Sequence, residues 1–154
     1  MPWTKLSNGT YAGRTLPEVI LAAEDPDFLF TGIRCGVFLG PLLSEAWELS
    51  HKASRICLPW EDPSDVTFYY RHAGEESFGG IAVVPARDAA RYRPFAAAES
   101  HGLDLSMPCR VAPKDPNGTS LLVTGLKLDV WGELHPDLTP EACAAFFGNV
   151  ENFL

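Results

Sequence analysis

Histidine and acidic side chains are the groups in this sequence that could bind a catalytic metal ion. The best combination is His72, His101 and Asp104, because imidazole and carboxylate groups are common metal ligands in hydrolases. However, no two of the four histidines have the spacing that places two ligands on one helix face or in one short loop. A site would have to assemble from residues far apart in the sequence. A metal-dependent hydrolase is therefore the alternative hypothesis, and no metal or cofactor is predicted.

Motifs of nucleotide-binding and hydrolytic enzymes are absent from the sequence. There is no Gly-x-x-x-x-Gly-Lys phosphate loop, no Gly-x-Gly-x-x-Gly turn, no Gly-x-Ser-x-Gly nucleophile elbow and no His-Glu-x-x-His helix. No Cys-x-x-Cys pair occurs and most of the cysteines have apolar neighbours, so we expect buried free thiols at Cys35, Cys57, Cys109 and Cys143. Cys109, beside Arg110, comes nearest to an activated nucleophile. These observations favour a non-catalytic function.

The charge of the chain argues against a polyanionic partner. Twenty Asp and Glu residues against twelve Lys and Arg residues give the 154-residue chain a net charge of -8. A negative field repels polyanions at long range, so direct binding of nucleic acid is disfavoured. The one concentration of basic residues is Arg87, Arg91 and Arg93, and we predict no function for it.

Signals for helices occupy the first third of the chain. Thr15 is followed by Pro17 and Glu18 in the arrangement of a capping box, and the Asp25-Pro26 pair offers a second helix start. Apolar residues at helical spacing, Trp47 among them, predict a third helix over 41–54 with its charged residues on the opposite side. The Asn-Gly pair at 8–9 predicts a small N-terminal hairpin before these helices.

Signals for strands dominate the middle of the chain. Alternating residues over 66–71 and a returning segment over 77–84 predict an antiparallel hairpin. The segments 103–111 and 119–130 are also predicted to be strands. In the second segment Leu126, Leu128 and Val130 alternate with Lys127, Asp129 and Trp131, which implies one face in contact with water. The connection over 85–102 shows no clear periodicity, and we expect it to be irregular and the most mobile part.

The whole pattern predicts one domain of the α+β class. A threonine and a proline at 139–140 start a short C-terminal helix. N-terminal helices in 1–58 are expected to pack on an antiparallel sheet in 59–154. The apolar runs are far shorter than the roughly 20 residues that span a bilayer, so no membrane partner is predicted. The polar start of the chain and the isolated cysteines favour a cytoplasmic location.

A family resemblance is confined to the N-terminal fifth of the chain. Residues 9–16, Gly-Thr-Tyr-Ala-Gly-Arg-Thr-Leu, and 25–29, Asp-Pro-Asp-Phe-Leu, resemble the exonuclease X-like C-terminal module. The module has a lysine-rich turn there, whereas Thr10 and Ala12 occupy the corresponding places in this chain. The remaining chain resembles small uncharacterised bacterial or phage proteins. The resemblance implies association with nucleic-acid enzymes, or a weak nucleic-acid-binding module that uses Lys5, Tyr11 and Arg14.

The leading hypothesis is an acidic, non-catalytic protein that binds a protein of nucleic-acid metabolism. An acidic surface can occupy the basic groove that a nucleic acid would use, so the chain could inhibit a nuclease or a CRISPR-type effector. The candidate binding residues are the acidic side chains Glu45, Glu48, Glu75 and Glu76, which we expect to be exposed, with Trp60 as the aromatic anchor.

Overall fold

The computed structural model describes residues 3–58, 66–74, 76–115 and 117–154. Trp60 and Glu75 lie outside the described residues. The helices are α1 Leu16–Leu21, α2 Pro26–Cys35, α3 Pro41–Ala53, α4 Ala89–Tyr92, α5 Met107–Val111, α6 Gly118–Trp131 and α7 Pro140–Gly148. The strands are β1 Val66–His72, β2 Phe78–Pro85 and β3 Ala98–Ser100. Short 3-10 turns lie at Ala86–Asp88, Arg93–Phe95 and Val150–Asn152.

The predicted N-terminal helices are confirmed, and their starts follow from local hydrogen bonds. The backbone N–H of Thr15 donates to Glu18 Oε1 at 3.1 Å, which is one half of a capping box. Asp25 Oδ1 accepts a hydrogen bond from the backbone N–H of Phe28 at 3.2 Å and caps α2. Gly36 ends α2 with a φ of 71°, a left-handed conformation that glycine adopts without strain. These contacts fix where α1 and α2 begin and where α2 ends.

The sheet is antiparallel, with strand order β2-β1-β3. The predicted hairpin of β1 and β2 is confirmed, with Phe68 opposite Val83. A bulge lies between Arg71 and His72, and the backbone at Gly79 approaches His72 too closely for a side chain there. The connection that we expected to be irregular instead forms α4, two 3-10 turns and β3, which pairs with β1.

The prediction of strands at 103–111 and 119–130 is wrong, because residues 107–111 form α5 and the second segment lies within α6, while Leu103 makes only an isolated bridge with Ile56. In the second segment, the alternation of apolar and polar residues predicted that Leu128 is buried and that Lys127 is exposed to solvent. The structure has the reverse, with Lys127 2% exposed and Leu128 46% exposed. The buried residues Leu122, Val123 and Leu126 follow the spacing of a helix face.

One hydrophobic core joins the helices to the inner face of the sheet. Leu16 and Ile20 of α1 belong to the same buried cluster as Phe68 and Tyr70 of β1. α1 packs against α2, α3 and α7, while α5 and α6 pack against β1 and β2. The α+β prediction, with N-terminal helices, an antiparallel sheet and a short C-terminal helix, is therefore confirmed. None of the helices in the described ranges is both long and apolar enough to cross a membrane.

Candidate functional site

Helix α3 and the loop before it expose a set of large apolar side chains, which we name the α3 patch. It consists of Val37, Leu39, Leu43 and Trp47, with exposed fractions of 61%, 75%, 38% and 59%. Large apolar side chains that are exposed together mark an interaction surface more often than single ones do. The loop and the first two turns of α3 bring these four residues together along the chain. The α3 patch is therefore a candidate protein-binding surface.

The width of the apolar stripe on α3 explains why part of it is exposed. Viewed along the helix axis, the apolar stripe has Leu49 at one edge and Trp47 at the other. At 3.6 residues per turn, it covers about 160° of the helix circumference. A core-facing stripe is about 100° wide or somewhat more. Ala46, Leu49 and Ala53 are buried, so Trp47 falls at the edge that faces solvent. The expectation that Trp47 packs with the core residues of α3 is wrong, and the excess width of the stripe was the available signal.

The two acidic residues predicted as binding groups on α3 differ in availability. Glu48 is exposed and pairs with Lys52 at 2.9 Å, one turn further along the helix. Glu45 is half-buried, and its Oε1 accepts a hydrogen bond from the backbone N–H of Thr4 at 2.8 Å. The expectation that Glu45 is exposed is wrong, because its carboxylate ties the N-terminal segment to α3. Glu48 is thus the acidic group of α3 that can meet a partner.

The other predicted binding residues of this hypothesis lie elsewhere. Glu76 is exposed near the β1–β2 turn and pairs with Lys114 at 2.8 Å. Trp60 and Glu75 lie outside the described residues. Trp3 is half-buried against the core, and the ring of Trp131 lies 5.7 Å from that of Phe146. Neither of these two tryptophans offers an anchor comparable with the α3 patch.

The N-terminal residues named for weak nucleic-acid binding do not form one free surface. Lys5 and Arg14 are exposed on the turn that precedes α1. The Tyr11 hydroxyl donates to Asp25 Oδ2 at 2.5 Å, and its ring packs edge-on against Phe28. Burial and the Asp25 carboxylate raise the pKa of Tyr11 to about 12. Tyr11 therefore holds the turn against α2, and its ring is already in use.

The candidate metal ligands are not gathered by the fold. β3 ends at Ser100 opposite Phe68, so His101 leaves the sheet about four residues, or roughly 13 Å, from His72 along β1. Asp104 is 5% exposed, and its Oδ1 accepts hydrogen bonds from the backbone N–H and the hydroxyl of Ser106, at 2.9 and 2.6 Å. Among the described residues, no group of three His, Cys, Asp or Glu side chains could hold a metal ion.

Cys57, Cys109 and Cys143 lack the lowered pKa of a nucleophile. Cys143 is buried, Cys57 and Cys109 are half-buried, and Cys35 is exposed, so the prediction of burial is wrong for Cys35 at the end of α2. Burial raises the pKa of Cys57 and Cys109, and raises that of Cys143 to about 11. The Asp27 carboxylate raises the pKa of Cys109 further, which outweighs its arginine neighbours. A catalytic thiolate requires a shift in the opposite direction.

A buried polar cluster joins the end of α1 to α6. Glu24 has a positive φ of 55°, and its Oε1 lies 3.1 Å from Lys127 Nζ, which is almost fully buried. The hydroxyls of Ser120 and Thr124 donate to Glu24 Oε2 at 2.9 and 3.1 Å. Burial alone would raise the pKa of Glu24, but the hydrogen bonds from Lys127 and the hydroxyls outweigh it and hold the pKa below its ordinary value. Each polar group here has a protein partner, which indicates a structural role.

Comparisons of the chain with protein-family models, with curated proteins and with solved structures gave no match. The resemblance to the exonuclease X-like module therefore stays a prediction.

Proposed function

We propose that this protein is a non-catalytic binding protein that uses the α3 patch to contact a basic surface on another protein. The observation that carries the proposal is the exposure of Trp47 beside Leu43 and Leu39 on one short stretch of chain. Tryptophan is enriched among the residues that dominate binding energy at protein interfaces. A fully buried Leu, Val or aromatic side chain gains about 1.5–3 kcal/mol, so covering this set favours association.

The proposed partner is a protein of nucleic-acid metabolism with a basic surface. The net charge of -8 attracts a basic surface and accelerates its approach, while it repels nucleic acid. Exposed Glu48 lies about 100° around α3 from Trp47, so it supplies negative charge on the face of the helix beside the α3 patch. By covering a groove that otherwise binds nucleic acid, the chain would inhibit a nuclease or a CRISPR-type effector. The N-terminal resemblance supports the same class of partner.

Affinity capture with matched variants tests the proposal. The full chain is used as bait in cell lysate with and without nuclease treatment, together with Trp47→Ser and Glu48→Lys. Leu128→Ser is the control for loss of an exposed apolar side chain, since Leu128 is 46% exposed on α6. Glu133→Lys is the control for charge reversal, since Glu133 is exposed after α6.

The proposal expects a partner that survives nuclease treatment, that is lost with Trp47→Ser and that is weakened by Glu48→Lys at low salt. Both controls should retain it. The purified partner should bind nucleic acid, and the chain should displace that nucleic acid in a competition assay. Capture that is unchanged in Trp47→Ser, or a partner whose nucleic-acid binding is unaffected by the chain, contradicts the proposal.

A further inference from the structure

The face of the sheet opposite the core holds a cavity of about 200 Å³. Phe68 and Tyr70 of β1 point into the core, so the alternating residues Tyr69 and Arg71 lie on the other face. The lining residues are Tyr69, Arg71, Ala82, Tyr92, Phe95 and Ala96. We name this site the arginine–aromatic cavity.

Specific contacts hold the cavity open by fixing the segment that crosses the sheet. The Tyr69 hydroxyl donates to the backbone carbonyl of Ala89 at 2.9 Å, and the rings of Tyr69 and Tyr92 are stacked with centroids 6.5 Å apart. Arg93 pairs with Glu99 of β3 at 3.3 Å. Because these contacts tie α4 to β1 and the turn after it to β3, the cavity is preformed.

Two aromatic rings of the cavity are open to solvent. Phe95 is 78% exposed and Tyr92 is 47% exposed. A phenylalanine that is this exposed beside a cavity departs from the usual burial of the residue. Flat rings at a cavity mouth offer stacking surfaces to a planar ligand, and stacking on a nucleobase tolerates any base.

Arginines outnumber carboxylates around the cavity, although Glu99 of β3, the register partner of Tyr69, lies on the same face of the sheet and pairs with Arg93. Arg71 lines the cavity, and Gly80, its partner in the β1–β2 register, leaves no side chain across from the guanidinium. Arg87 and Arg91 lie on the segment that forms the other wall. Within the described ranges, no carboxylate lies within 4.0 Å of the Arg71 or Arg91 guanidinium. A guanidinium with no such partner binds phosphate by charge-assisted hydrogen bonds.

We propose that the arginine–aromatic cavity binds a nucleotide. The base stacks against Phe95 and Tyr92, and Arg71 contacts the phosphate. The volume is below the roughly 300–1,000 Å³ of pockets for drug-sized ligands, so the cavity suits one base and not a larger cofactor. The same ligand chemistry has two sources, a free mononucleotide and one residue of a single-stranded nucleic acid. This site uses none of the residues of the α3 patch and is independent of the function proposed above.

Titration of the full chain, followed by amide chemical shifts in NMR spectra, tests this proposal. The probes are adenosine monophosphate, adenosine, inorganic phosphate and a short single-stranded oligodeoxyadenylate. The variants are Arg71→Ala and Phe95→Ala, whose side chains are exposed, and circular dichroism checks that both are folded. The control is Arg14→Ala, an exposed arginine on the N-terminal turn that was the other candidate for nucleic-acid contact.

Adenosine monophosphate should bind more tightly than adenosine or phosphate alone, with shifts at residues of β1, β2 and 92–96. Arg71→Ala and Phe95→Ala should each weaken binding about tenfold, and Arg14→Ala should not weaken it. Equal affinity for the mononucleotide and the oligonucleotide assigns the site to free nucleotides. Tighter binding of the oligonucleotide assigns it to single-stranded nucleic acid. No binding at millimolar concentration, shifts confined to the N-terminal turn, or unchanged affinity in both variants overturns the proposal.

Discussion

Replacement of Glu24 by glutamine should destabilise the protein more than removal of its partner Lys127. Glu24 and Lys127 both carry charge in a low-dielectric environment. The side chain of Lys127 is 3% exposed, whereas that of Glu24 is 19% exposed. In Glu24→Gln the ammonium group of Lys127 is stranded in the interior. In Lys127→Met the carboxylate of Glu24 keeps partial hydration and the hydroxyls of Ser120 and Thr124. The more deeply buried charge therefore pays the larger desolvation cost when it is left alone.

The size of the effect follows from the cost of breaking a buried pair. Removing one partner of such a pair costs about 3–5 kcal/mol, and Glu24→Gln is expected in this range because it leaves the buried ammonium group of Lys127 without a counter-charge, while the similar shape of glutamine avoids a cavity. Lys127→Met replaces the lysine with an apolar side chain of similar length, and about 1–2 kcal/mol is expected for the less buried carboxylate. The double variant removes both charges and is expected to be more stable than Glu24→Gln alone. A loss of about 3–5 kcal/mol is a large part of a typical stability of about 5–15 kcal/mol.

Urea denaturation of the three variants at pH 7 and at acidic pH measures these differences. Because the pKa of Glu24 is lowered in the folded protein, its ionised carboxylate adds to the free energy of unfolding. This contribution is complete above the ordinary pKa of 4.5 and is lost as the pH falls through the folded-state pKa. The deficit of Glu24→Gln relative to the natural sequence should therefore shrink at acidic pH. A deficit that is smaller than that of Lys127→Met, or that does not change with pH, refutes the reasoning.

Two further predictions concern packing and thiol chemistry. Gly32→Ala places a methyl group into the ring of Phe38 and should destabilise the protein by about 1–3 kcal/mol in urea, whereas Gly125→Ala, which meets nothing on α6, should stabilise it by about 0.5–1 kcal/mol. Alkylation at mildly alkaline pH, read by mass spectrometry, should modify exposed Cys35 first, and Cys143 should react only on unfolding, since it is buried and its pKa is raised to about 11. A stabilising Gly32→Ala, or fast modification of Cys143, would contradict the packing described for these positions.

The helices that begin with a local signal were predictable from the sequence. Thr15 with Glu18, and Asp25 with Pro26, satisfy backbone N–H groups within three residues, so their effect needs no tertiary contact. The β1–β2 hairpin is also local, because a short turn joins its strands. Elements of this kind depend on residues that are adjacent in the sequence.

Helix α6 was missed because its burial pattern depends on a distant residue. Lys127 is buried only because Glu24, 103 positions away in the chain, supplies a counter-ion at 3.1 Å. Without knowledge of that partner, a lysine is expected to be exposed to solvent. The residues around Lys127 then match an alternation of buried and exposed positions, which is the pattern of a strand. Local alternation cannot predict a buried ion pair of this sort, because the pairing residue lies far away in the sequence.

The candidate sites were predictable only in part. Glu48 and Glu76 are exposed as expected, and their binding role stays a prediction. Glu45 instead holds the segment before α1, a long-range contact that no helix pattern contains. The arginine–aromatic cavity combines Arg71 of β1 with Tyr92 and Phe95 of the segment after β2. The arginines of that segment are exposed, as predicted, but the sequence does not show the cavity, because its aromatic residues come together only when α4 crosses the sheet.

The proposed surfaces fit the charge of the chain in complementary ways. At physiological ionic strength the Debye length is about 8 Å, so the acidic groups act together on a large ligand as it approaches, while Arg71 acts on a phosphate at contact distance. A long polyanion is repelled by most of the surface before it reaches the cavity, whereas a mononucleotide carries little charge to be repelled. The same field attracts a basic protein toward the α3 patch. A single net charge of -8 can therefore exclude duplex nucleic acid, admit a nucleotide and favour a basic partner, because the three ligands differ in the distance over which they sense the field.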